Sequence, residues 1–74
     1  MENKIKMTPV ESSNLSKVGF DGKEKELHVV FTNGSHYKYT GVPRKVFTEM
    51  MKAESHGKFL NASVKGVYPY ERIS

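Results

Sequence analysis

The chain contains no cysteine and no tryptophan, and only two of its cations, Arg44 and Arg72, are arginines. The missing thiols exclude disulfides, thiolate nucleophiles and zinc sites of the cysteine type, and leave the redox compartment open. No apolar run exceeds three residues, Val29-Val30-Phe31 being one, so nothing spans a membrane. Behind the basic start Lys4-Ile5-Lys6 there is no apolar stretch, which argues against a signal peptide and for a soluble, cytoplasmic protein. No phosphate-cradling glycine-rich loop and no serine-nucleophile elbow is present. The three histidines, His28, His36 and His56, show no metal-ligand spacing. No metal or other cofactor is therefore expected, and a non-enzymatic role is favoured.

With 74 residues, 36% of them hydrophobic, the chain suffices for one small two-layer domain and a single core. A deep substrate pocket would consume interior that such a chain lacks, so surface binding is the better expectation. The formal net charge of +4 is unevenly spread. Residues 1–34 carry five lysines against five carboxylates, and residues 35–74 carry seven cations against three. An excess of that kind attracts phosphate or an acidic protein surface.

Residues 1–9 lack periodicity and end in Thr8-Pro9, which predicts a flexible N-terminal arm ahead of a single domain over 10–74. Ser12-Ser13-Asn14 is turn and capping chemistry. Beyond it Ser16, Val18 and Phe20 alternate as a strand. After the charged connection that opens at Asp21-Gly22, Leu27, Val29 and Phe31 alternate as a second. Asn33-Gly34 is a strong hairpin signal, with Ser35–Thr40 returning as a third strand. Two registers are open. A two-residue turn pairs Val30 with Tyr37 and His28 with Tyr39, exposing the tyrosines opposite the core face. A three-residue loop with Gly34 in the left-handed conformation pairs Val29 with Tyr37 and Leu27 with Tyr39, on the core face. Burial of aromatic area favours the second, at roughly 1.5–3 kcal/mol per side chain.

Pro43 opens a helix predicted over 43–54, with Val46, Phe47, Met50 and Met51 forming one apolar stripe. Gly57 is read as its stop after Ser55-His56, which puts His56 at a helix end whose dipole favours the charged ring. A short helical segment over about 58–65 ends at Gly66. Pro69 confines the remaining extended segment, Val67–Ile73, to an edge or an irregular path. The sequon Asn61-Ala62-Ser63 is discounted without a secretion signal. The fold expected is α+β: a three-stranded antiparallel β-meander packed against one main α-helix, then the short helical segment and a strand-like C-terminal tail.

Aromatic and cationic residues interleave along the second half. Tyr37, Lys38 and Tyr39 are followed by Arg44 and Lys45, then Lys58, then Lys65, Tyr68, Tyr70 and Arg72. Rings beside positive charge hold single-stranded nucleic acid by stacking and phosphate pairing. Lysines around a small aromatic core would give the same pattern for structural reasons.

The order Ser12-Ser13, Val18-Gly19-Phe20-Asp21, Leu27-x-Val29-x-Phe31-x-x-Gly34-x-x-Tyr37-x-Tyr39-x-Gly41-Val42-Pro43 and Phe47 continues with Ala53-x-Ser55-x-Gly57-x-Phe59-x-Asn61, Lys65 and Tyr68. Over residues 9–73 it resembles the KTSC domain, named after the C-terminus of some lysyl-tRNA synthetases and found also as free-standing bacterial and bacteriophage proteins. Phe20 departs from the family pattern, which more often has tyrosine there. The resemblance implies RNA as partner, through the family's attachment to a tRNA-handling enzyme, in line with the RNA or single-stranded nucleic acid that the rings and cations suggest. For a free-standing phage or prophage product it implies, alternatively, a host enzyme bound as a protein partner.

Overall fold

The computed structural model describes residues 6–73. Five strands, β1 (Thr8–Pro9), β2 (Leu15–Asp21), β3 (Glu26–Phe31), β4 (His36–Thr40) and β5 (Tyr70–Arg72), form one sheet in the order β1-β2-β3-β4-β5. All neighbours are antiparallel. Helices α1 (Arg44–Lys52) and α2 (His56–Ser63) are inserted between β4 and β5. The fold is thus α+β, but the sheet has five strands where the sequence predicts three. The two additions are edge strands of two and three residues, too short to show a period, and each contains or adjoins a proline that edges tolerate. Of the arm expected over residues 1–9, Thr8 and Pro9 belong to β1, and residues 1–5 lie outside the described residues.

The β3–β4 hairpin takes the three-residue loop. Leu27 pairs with Tyr39 and Val29 with Tyr37. The Phe31 N–H donates to the Ser35 carbonyl at 2.8 Å, and the Gly34 N–H to the Phe31 carbonyl at 2.9 Å. Gly34 has a φ of +94°, which costs glycine nothing and an L side chain strain. Asn33 Oδ1 accepts from the Ser35 N–H at 3.0 Å and closes the turn. Strand β2 differs from simple alternation. A register shift between Leu15 and Lys17 leaves Ser16 exposed and puts Leu15 with Val18 in the core, because a bulge inserts one residue.

Leu15, Val18, Leu27, Val29 and Tyr39 from the sheet meet Val42, Met50, Leu60 and Val64 from the helical segment in one buried cluster. The helix boundary also differs from expectation. Lys52 ends α1, and Ser55 caps α2 by accepting the Lys58 N–H on Oγ at 3.3 Å. Gly57 therefore lies inside α2 rather than stopping α1; the Ser55 cap outweighs the glycine signal. His56 correspondingly sits at a helix start rather than a helix end. Its Nδ1 donates to the Met50 carbonyl at 2.8 Å and ties the two helices together. Among the described residues, no helix is long and apolar enough to cross a membrane.

Candidate nucleic-acid interface

The register of β4 determines the site. Period-two alternation puts Tyr37 and Tyr39 on the helix-covered face, and β5 adds Arg72 opposite Tyr37 and Tyr70 opposite Tyr39. The helices close over Tyr39, which is 2% exposed, while Tyr37 is half-buried and Tyr70 is 62% exposed. The rings form a continuous run. Phe31 meets Tyr37 edge-on at 5.5 Å between centroids; Tyr70 lies tilted, 5.6 Å from Tyr37 and 5.8 Å from Tyr39. A hollow of about 270 Å³ opens against this run, with Lys65 on its wall and Asn33 and Ser35 at its polar end. Lys65 follows α2, and among the described residues its ammonium pairs with no carboxylate.

Burial, and secondarily the neighbouring phenols of Tyr37 and Tyr70, push the Tyr39 phenol above its ordinary value. It therefore stays protonated at neutral pH. The hollow can take a flat ring against aromatic walls and place an anion at Lys65.

The sequence-predicted residues divide accordingly. Tyr37, Tyr39, Tyr70 and Lys65 come together, and Arg72 stands beside them on β5. Lys38 points to the opposite face of the sheet. There its ammonium lies 3.6 Å from Glu26 and 3.7 Å from Glu71. That face also carries His28 and His36, whose Nδ1 and Nε2 are 3.0 Å apart. Arg44 lies 5.5 Å over the ring of Phe20, which in turn stacks on Phe47 at 5.2 Å. The Phe20 aromatic is thus used for packing, where a tyrosine hydroxyl is dispensable. Lys45 and Lys58 are exposed on α1 and α2, and Tyr68 is half-buried against the core. Sequence reasoning missed Phe31, Asn33 and Ser35 as site residues. The signal was the three-residue register itself, which seats Phe31 opposite Ser35 and next to Tyr37.

These features define the class: a small α+β domain whose antiparallel sheet, roofed by two helices, leaves an aromatic groove open along its last strands. The KTSC domain family model matches residues 11–68, and the chain belongs to that family. It is 46% identical over 59 residues to a protein of Tsukamurella paurometabola, covering 80% of this chain and 88% of that one. It is 31% identical over 64 residues to a lysine–tRNA ligase of Nostoc punctiforme, covering 86% of this chain but only 11% of the ligase. A KTSC domain protein from Yersinia pestis has a solved structure that superposes with a TM-score of 0.90 at 30% identity, covering 96% of this chain and 100% of that one.

Proposed function

We propose that this domain is a non-enzymatic, cytoplasmic module that binds RNA or single-stranded nucleic acid through the groove. The observation that carries the reading is the exposed ring of Tyr70 standing with Tyr37 and Phe31 around an open hollow that has Lys65 on its wall. Aromatic faces beside an unneutralised cation suit an unstacked base and its phosphate. The likeness to a segment of a lysine–tRNA ligase supports RNA as the ligand. Lys58 and Lys45, exposed on the helices, extend the positive surface, whereas Lys38 is spent on Glu26 and Glu71 and drops out of the contact set.

Fluorescence anisotropy with an oligouridine of about 12 nucleotides tests this. Binding should weaken with salt at a log–log slope of roughly −0.7 per phosphate contact. Tyr70→Ala should lose affinity by the worth of one stack, about 1–3 kcal/mol, while Lys38→Ala stays near the parent. No binding at ~50 mM salt rejects the proposal. A second reading, a phage-derived module that docks on a host enzyme, draws on the exposed apolar side chains of Val67, Tyr70 and Ile73. A protein partner that survives nuclease treatment and is lost in Tyr70→Ala would favour it.

A further inference from the structure

A second hollow adjoins the aromatic one. Its volume is about 290 Å³, and its walls are Asn14, Thr32, Asn33 and Asn61 together with Phe31 and Lys65. Phe31, Asn33 and Lys65 belong to both hollows. The groove is therefore two chambers with a shared partition, one walled mainly by rings and the other by carboxamides.

Each chamber falls below the roughly 300–1,000 Å³ of pockets that enclose drug-sized ligands, so each suits one base. The amides have capacity to spare. Asn33 uses Oδ1 on the Ser35 N–H, which leaves its NH₂ group to a ligand. The side-chain amide of Asn61 makes no hydrogen bond among the described residues, although Asn61 is held on α2 one position after the buried Leu60. Carboxamides offer a donor and an acceptor together, which matches the Watson–Crick edge of an unpaired base. At the partition, the Lys65 ammonium stands where the backbone joining two bases would pass. The backbone that carries it is anchored: the Lys65 N–H bonds the Leu60 carbonyl at 2.8 Å, and Gly66 turns the chain away with a φ of +83°.

We infer that the groove is a dinucleotide site: one base stacks in the chamber of Phe31, Tyr37 and Tyr70, its neighbour is read by Asn33 and Asn61, and the phosphodiester between them sits on Lys65. This rests on the nucleic-acid reading and specifies the ligand as a single-stranded step. A duplex is disfavoured, because each base must leave the stack before its chamber admits it.

The test is a heteronuclear NMR titration with uridine monophosphate and with the dinucleotide UpU, alongside the longer oligouridine. The monophosphate should shift signals around Tyr37 and Tyr70. UpU should in addition shift Thr32 and the side-chain amides of Asn33 and Asn61, and should bind roughly tenfold tighter, about what two net hydrogen bonds supply. Asn61→Ala should cut that advantage to roughly threefold, the worth of the remaining Asn33 contact, and leave the monophosphate affinity unchanged. Lys65→Met should weaken both ligands. Both residues are exposed, so the variants keep the parent spectrum elsewhere. If the oligouridine binds but UpU is no tighter than the monophosphate, or Asn61→Ala leaves UpU affinity intact, the dinucleotide site is wrong and the nucleic-acid reading stands. If the oligouridine fails to bind, both fall.

Discussion

Replacing Gly34 by alanine perturbs the turn that decides which side of the sheet receives Tyr37 and Tyr39. The φ of Gly34 is +94°, and a Cβ placed there meets no atom within 4 Å. The cost is therefore backbone strain alone, about 1–2 kcal/mol for an L-residue held at positive φ. Gly57 supplies the control. It lies inside α2, and a Cβ there would reach 3.4 Å from the Asn14 side-chain nitrogen, at the edge of ordinary contact. Gly57→Ala should gain about 0.5–1 kcal/mol from the higher helix propensity of alanine. One chemical change thus has opposite signs at two sites. In a domain of this size each 1 kcal/mol moves the melting temperature by about 4–8 °C. Gly34→Ala should then melt about 4–16 °C below the parent and Gly57→Ala a few degrees above it, read by circular dichroism. Gly34→Asn should lose less than Gly34→Ala, since asparagine tolerates the left-handed region better. A Gly34→Ala protein that melts with the parent would refute the three-residue loop, and with it the reason the tyrosines line the groove.

Acid should also weaken the fold through the outer face. Burial, and then the charge of His28 beside it, hold the His36 ring below the ordinary 6.5. The fold disfavours the charged form, so stability is intact above that value and is lost as pH falls through it toward the lowered folded value. The urea midpoint should be level above about pH 7 and decline below, and His36→Gln should remove that part of the decline; a level midpoint down to about pH 5 contradicts this. Ser55→Ala removes the α2 cap and should cost about 1 kcal/mol in urea unfolding. Leu60→Ala opens the centre of the core, where Leu60 is 1% exposed, and should cost about 2–5 kcal/mol; a loss under about 1 kcal/mol would mean that the helices do not bury that side chain.

The hairpin and the main helix were legible because both carry a period. Leu27, Val29 and Phe31 alternate, and the choice between two registers reduced to whether burying two rings outweighs a turn preference, which it does. The extended edge segment that holds β5 was legible from Pro69, but its pairing with β4 was not, and β1, two residues that include Pro9, shows no alternation; both owe their pairing to the neighbours they meet. The bulge at Ser16 and the Ser55 cap turn on a single residue each, and local pattern favoured the simpler reading both times. In the site, Tyr37-Lys38-Tyr39 reads as one cluster along the chain. Period two sends its middle member to the far side of the sheet, where Glu26 and Glu71 hold it. Lys65 was legible as a cation beside aromatics, but that Asn61 lines the same groove depends on how α2 packs near the hairpin, a tertiary placement that no local spacing announces.

Proton spectra of the tyrosine rings, recorded as oligoadenylate is added, probe the proposed stacking directly. Ring-current shifts confined to Tyr37 and Tyr70, with the signals of His28 and Lys38 on the outer face unmoved, are the expected result. Shifts spread over both faces, or concentrated on the outer one, would contradict the assignment of the groove as the surface that grips a nucleic-acid strand.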